Sequence, residues 1–274
     1  MSYTPAIPLG GLAGLRFLER TGEAQRDAHA SSPEIQRNIA YFNDTIGDIG
    51  SAEELVADRR LLGVVLGAYG LGDEIDKRAF IRRILEDGVD TPGTLGNRLN
   101  NQAYKDMARD LKFDTDGPRT MPVALREKTV SNYLEQSFEI SVGEQSESLR
   151  LALDFKRRAA EVSDRGWFAL MGDTPARTLL ETALGLPSDI GSIEIDKQRE
   201  LFEERALRVL GTRDAESLSD PAIIDKLVSR YLVLDEAASG PSAMTRGSVA
   251  LTLLSNISSG FGPSASRSLF QSSF

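Results

Sequence analysis

Apolar residues return at steps of three and four along most of the chain, the spacing that places them on one face of an α-helix. Ile35, Ile39, Phe42 and Ile46 form such a stripe behind Ser32-Pro33, an N-cap followed by a first-turn proline, and the stripe stops near Gly47. Ser51-Ala-Glu-Glu54 has the spacing of a capping box, in which the serine oxygen accepts an otherwise free backbone N–H. Leu55, Leu62, Leu66 and Tyr69, widened by Leu61 and Val65, then predict one helix that Gly70 closes in a left-handed cap.

The pattern continues downstream. Phe80, Ile81, Ile84 and Leu85 predict a helix from Asp76 to Asp87 with Gly88 as its stop, and Asn101 caps another through Tyr104, Met107, Ala108 and Leu111. The stretch KFDTDGPRTMP reads as a loop. Two longer helices, 122–140 and 144–162, are separated by Gly143; Trp167 and Phe168 open a short apolar segment suited to a core. Thr174-Pro175 and Asp220-Pro221 repeat the cap-plus-proline signature. No sustained alternation of period two appears, nor any Asn-Gly hairpin turn between β-branched runs. The expected fold is all-α, with about ten helices.

The ends differ from the middle. Residues 1–30 carry Gly and Pro among scattered apolar residues and read as a loosely ordered segment, residues 31–236 as the helical domain. Residues 237–274 read as a linker, AASGPSAMTRGS, a short apolar helix, VALTLLSNI, and a Ser/Gly-rich tail. Phe261, Phe270 and Phe274 are unusual in such a tail and are candidate partner-binding residues.

The middle also repeats itself. LLGVVLGAYGLGDEIDK from Leu61 is echoed by LLETALGLPSDIGSIEIDK from Leu179, with Leu66-Gly67 against Leu184-Gly185 at an offset of 118. Glu74-Ile75-Asp76-Lys77 matches Glu194-Ile195-Asp196-Lys197 at 120, and the segment from Leu99 resembles that from Leu218 at 119. Such agreement suggests a duplicated helical unit, around 51–112 and 174–236. The echo bears on the glycines of the first copy. A phosphate cradle needs them at a helix N-terminus; these stand at a predicted C-terminus, and the lysine of a GxxxxGK[ST] loop is absent. Gly67 and Gly185 are expected instead where two helices approach closely, with no anion nearby.

Composition narrows the chemistry further. The 274 residues carry a formal net charge of −9, which repels a phosphate backbone, so no nucleic-acid partner is expected. The densest basic clusters, Lys156-Arg157-Arg158 and Arg82-Arg83, read as solvated helix faces, and Asp58-Arg59-Arg60 as a solvated edge within its helix. Zero cysteines exclude disulfides, thiol catalysis and cysteine-ligated metals. No run approaches the roughly 20 apolar residues of a membrane span, and no cleavable signal is read at the N-terminus.

The one histidine, His29, lies in the polar stretch RDAHASS and reads as a surface residue without a metal-binding companion. Glu74/Asp76 and Glu194/Asp196 are paired carboxylates of the kind general acid–base chemistry uses, although their placement at helix starts favours capping. They define an alternative function, a small-molecule or metal-dependent enzyme. The leading expectation is no catalytic, cofactor-binding or metal site.

The ordered motifs GGLAGLRFLERT, YFNDTI, SAEELVADRRLLGVVLGAYGL, FIRRILEDG, LGNRLNNQAY, RLAL, WFALMG and TALGLP run through residues 10–235. In that order they resemble the helical family catalogued as domain of unknown function 1217, in particular its alphaproteobacterial members. Members of that family are often encoded among flagellar genes. The resemblance thus implies a non-enzymatic interaction protein of flagellar assembly or motility, with protein partners that include flagellar components. It implies a cytoplasmic location or, alternatively, export through the flagellar apparatus without a cleavable signal. No catalytic residue carries over.

Overall fold

Ser51, Asp58, Asn101, Ser146, Asp173 and Asp220 each aim a side-chain oxygen at free N–H groups in the first turn of the next helix. These caps and the apolar stripes between them set the architecture. The computed structural model describes residues 3–99, 101–114, 121–187 and 189–239. Among them are thirteen α-helices and no strand, so the protein is all-α. They are α1 (Gly11–Ala30), α2 (Pro33–Thr45), α3 (Ala52–Ala57), α4 (Arg59–Ala68), α5 (Arg78–Asp87), α6 (Leu95–Arg98), α7 (Gln102–Leu111), α8 (Val123–Gly143), α9 (Glu147–Ser163), α10 (Trp167–Gly172), α11 (Thr174–Leu184), α12 (Ile195–Leu210) and α13 (Pro221–Ser239).

Three local expectations change. The helix expected to run unbroken from Ala52 to Tyr69 is broken at Asp58. That residue is extended (φ −87°, ψ 94°), and its carboxylate accepts from the N–H groups of Arg60 and Leu61 while also receiving the Tyr41 hydroxyl. Asp58 is a joint between α3 and α4, not a solvated edge. At α11 the cap is Asp173, with Thr174 and Pro175 already helical.

The third change is at the N-terminus. Residues 11–30, expected to be loose, form a 20-residue helix that buries Leu15 and Leu18. Its glycines mislead because they allow close approach rather than breaking the helix: a Cβ on Gly14 would strike the Leu9 carbonyl oxygen and the Leu149 side chain. Gln25 then anchors the segment that precedes α1, accepting from the Ala6 N–H at 2.8 Å and donating to the Ala6 carbonyl at 3.2 Å.

The stretch expected as one helical domain is built on two separate cores. Lobe one gathers α2–α7 around Phe42, Leu62, Ile84 and Met107, with Tyr133 from α8. Lobe two gathers α1 and α9–α13 around Phe155, Leu180, Phe202 and Leu227, with Phe138 and Val142 from α8. One continuous helix thus serves both cores, its first half in one and its second half in the other. α13 runs to Ser239, so the helical body extends three residues beyond the expected boundary. The rest of the expected linker, the VALTLLSNI segment and Phe261, Phe270 and Phe274 lie outside the described residues.

The order of elements repeats. A joint aspartate, a helix, a left-handed glycine, a 3₁₀ turn, a helix, a short turn and a capped helix run from Asp58 to α7, and again from Asp173 to α13. The hydrogen bonds fix the register at the first of these helices. Leu71 N–H reaches Leu66 O and Gly70 N–H reaches Gly67 O in one copy; Leu186 N–H reaches Glu181 O and Gly185 N–H reaches Thr182 O in the other. These are paired Schellman closures, with Gly70 at φ +70° and Gly185 at φ +67°.

Gly185 is therefore the counterpart of Gly70, not of Gly67, and the local offset is 115 rather than 118. Gly67 does lie at a close approach, where an added Cβ would sit 3.0 Å from the Tyr133 ring of α8. Gly185 does not: an added Cβ would meet nothing within 4 Å, and its glycine answers to the backbone alone.

Candidate functional site: a charged cleft between the lobes

The two lobes face one another across a cleft of about 400 Å³, floored by α8. The end of α4 and the exposed side of α7 line one wall; α9 and the joint before α11 line the other. The helical period of α9 buries Leu151, Ala152, Phe155, Ala159 and Val162, and this turns Asp154, Arg157 and Arg158 toward α8 and the cleft.

Arg157, Arg158 and Asp173 of the second wall belong to an ion-pair network that runs behind the cleft to Glu139 and Asp154. Arg157 makes two 2.8 Å bonds to the Glu139 carboxylate on α8 and a third, at 2.9 Å, to Asp154. Arg158 grips Asp154 at 2.8 and 2.9 Å and Asp173 at 2.9 and 3.0 Å. Asp173 also caps α11, so one carboxylate joins two helices and an arginine. Glu139 and Asp154 are both buried. Burial pushes the Glu139 carboxyl above the ordinary glutamate range, against the pull of the Arg157 hydrogen bonds. For Arg158, burial opposes the charge but the two aspartates outweigh it, and its affinity for the proton rises.

The opposite wall is organised around Asp106 and Asp110. The Tyr69 hydroxyl donates to Asp110 at 2.9 Å, and Lys128 approaches the same oxygen at 3.4 Å. Burial, followed by the Asp110 charge, pushes the Tyr69 phenol far above its ordinary value. Asp106 receives Gln102 at 2.9 Å, Arg109 at 3.1 Å and, from across the cleft, Arg165 at 3.5 Å. Chemically the arrangement joins helices: its carboxylates are engaged by cations or donors of the protein itself.

Other residues singled out from the sequence fall elsewhere. The expectation that Lys156-Arg157-Arg158 forms a solvated face is overturned, since two of the three hold the buried acids just described. Lys156 bridges Glu19 of α1 and Asp225 of α13 at 2.6 and 2.7 Å. Arg82 and Arg83 do stay on the surface, pairing with Glu86 and Asp87 one turn on.

His29 is not a surface residue. Its ring lies buried edge-on to Tyr3 and Phe138, with Nε2 2.9 Å from the Ser137 hydroxyl. The polar stretch around it misled because His29 faces α8 from the last turn of a helix the sequence did not disclose. Burial lowers its pKa, with Glu34 opposing. Trp167 is buried as expected and donates from Nε1 to the Arg213 carbonyl at 2.7 Å; its neighbour Phe168 is 51% exposed.

The paired carboxylates do not converge on the cleft. Glu74 binds Lys77 and Asp76 binds Arg59, while Glu194 binds Lys197. The Arg59 hydrogen bond and charge hold the exposed Asp76 carboxyl below its ordinary value. Among the described residues no cluster of three or more His, Asp or Glu is spaced to hold a metal ion. No helix among them is long and apolar enough to cross a membrane.

Comparison with known proteins places this geometry in a family. The X-ray crystal structure of protein AGR_C_984 from Agrobacterium tumefaciens matches with a TM-score of 0.69 at 25% identity, covering 81% of this chain and 91% of that one. No curated protein matches the chain. The model of the family described as "Protein of unknown function (DUF1217)" matches residues 68–224, a span that includes all of the cleft-lining residues from Ala68 to Asp173. Because that match takes in more than half of its length, the chain belongs to the DUF1217 family of proteins of unknown function.

Proposed function

We propose that the protein is a non-enzymatic helical interaction protein associated with flagellar assembly or motility. The observation that carries the reading is an exposed apolar patch on lobe two. Phe168 of α10 and Ile195 of α12 stand about half exposed, and the Arg199 guanidinium, one turn beyond Ile195, lies 5.6 Å over the Phe168 ring. An aromatic ring, a guanidinium and a branched aliphatic side chain on a helical surface are the composition of a protein-binding hot spot.

The charges of the cleft favour the same reading, because they are spent on holding helices together. The flagellar setting rests on the family, whose members are often encoded among flagellar genes. It goes with protein partners that include flagellar components. It also goes with a cytoplasmic location, or with export through the flagellar apparatus.

The test is a deletion strain complemented with the wild-type gene or with Phe168→Glu. Swimming and filament assembly are expected to fall on deletion, to return with wild type and to stay low with a variant that melts like wild type. Normal motility with intact filaments in the deletion strain would sink the proposal.

A further inference from the structure

The chain crosses between the lobes twice, and the two crossings lie side by side. The first is the joint at Ser31–Ser32, between α1 in lobe two and α2 in lobe one. The second lies inside α8, between Tyr133 in one core and Phe138 in the other. Three contacts bind these crossings together: Arg26 to Glu135 at 2.9 Å, His29 to Ser137 at 2.9 Å, and Asn38 to the Tyr133 hydroxyl at 3.0 Å.

Away from this line the lobes share little. Among the helix pairs that pack extensively, none joins α2–α7 to α9–α13. The polar bonds of the cleft sort the same way. Tyr69, Lys128 and Arg109 bind acids of lobe one. Arg157 and Arg158 bind acids of lobe two and of the second half of α8. Among the described residues the bond that spans the cleft is Arg165–Asp106, at 3.5 Å with both side chains partly exposed, and Arg165, in the turn that follows α9, makes its shorter bond, 2.8 Å, back to Glu161 of that helix.

We infer that the two lobes pivot about the paired crossings at Ser31–Ser32 and residues 134–137 of α8, with the cleft width as the variable and Arg165–Asp106 as its latch. The motion opens neither core. It asks a long helix to bend, which helices do gently at small cost, and breaks one solvent-screened ion pair. Elements that move as bodies about a few joining residues are the common form of a hinge. The inference holds whatever partner the exposed patch takes.

The cysteine-free chain allows two labels to be placed cleanly. Glu86→Cys with Glu200→Cys spans the lobes; Arg37→Cys with Glu86→Cys stays within lobe one, and all three sites are exposed. Spin-label distance distributions on the full chain should be broader for the first pair. Its mean should move by more than ~2 Å with Arg165→Ala, the scale that separates rearrangement from side-chain adjustment. A similar shift is expected between about 50 and about 500 mM salt, where exposed pairs are screened, while the within-lobe pair stays fixed. A cross-lobe distribution as narrow as the control and unmoved by either change would overturn the pivot.

Discussion

Asp58 and Asp173 occupy the same joint in successive halves of the chain: each ends one helix and caps the next, at φ/ψ of −87°/94° and −89°/106°. Their side chains then diverge. Asp58 serves two backbone N–H groups and a tyrosine hydroxyl, whereas Asp173 serves one N–H and the guanidinium of Arg158. Asp58→Ala is expected to cost about 1–2 kcal/mol, the worth of a good N-cap. Asp173→Ala should cost more, roughly 3 kcal/mol, because it also strips one partner from a largely buried arginine. Urea melts of the two variants measure the ordering, and a smaller loss for Asp173→Ala would count against the network's role.

The glycines of the duplicated helix end separate two reasons for having no Cβ. At Gly67 the obstacle is a ring, since Cδ2 of Tyr133 lies 3.0 Å from the added atom. At Gly185 it is the backbone, at φ +67° with open space around it. Gly185→Ala should therefore cost about 1 kcal/mol and Gly185→Asn less, because asparagine tolerates the left-handed region. Gly67→Ala gains about 1 kcal/mol of helix propensity and loses more to overpacking, while Gly67→Leu should be severely destabilised. Thermal melts that rank Gly185→Asn below Gly185→Ala would contradict the backbone argument.

What was legible in the sequence was local. Ser51, Asn101, Asp220, Gly70 and Gly88 act within a few residues of themselves, so capping chemistry and periodicity place them correctly, and together they make the all-α class plain. Asp58 escaped because the apolar stripe continues across the break; only the extended backbone at that one residue reveals it. α1 escaped because Gly14 and Gly22 look like breakers until the neighbours they admit are known. The cleft was beyond reach for a different reason. Arg157 and Arg158 sit among polar residues that a helical wheel assigns to solvent, and Glu139 on α8 and Asp173 beyond α9 become their partners only once the helices pack. Duplication was visible as an echo, but a conserved-looking Leu-Gly pair set the register three residues off at α11.

Burial of His29 predicts a pH dependence. A base whose pKa is lowered on folding holds its proton less tightly in the native state than in the unfolded chain, which takes one up below about pH 6.5. The unfolded state then binds more protons, so stability falls as pH drops below that value and is level in this respect above it. His29→Gln removes the term. Its melting temperature should vary less than that of wild type between about pH 7 and pH 5.5, a window above most carboxylates. Equal slopes for the two proteins would show that the ring is reached by water and titrates freely.

The Arg157–Glu139 pair is expected to be asymmetric. Arg157→Met leaves Glu139 buried on α8 without the guanidinium that makes both of its hydrogen bonds, at a cost of about 3–5 kcal/mol. Arg157→Met with Glu139→Leu should recover much of that loss, because Asp154 keeps Arg158 and no buried charge is stranded. The single variant should also carry its own pH signature. Burial already raises the Glu139 pKa and Arg157 opposes it, so removing Arg157 raises it further. A carboxyl raised on folding binds its proton more tightly in the native state, and its contribution is present at low pH and lost as pH climbs through the native value. Arg157→Met should therefore regain stability relative to wild type when urea melts are moved from about pH 7.5 to about pH 5, whereas the double variant should not. A deficit that stays constant across that range would mean that Glu139 remains charged, with water taking the place of the arginine.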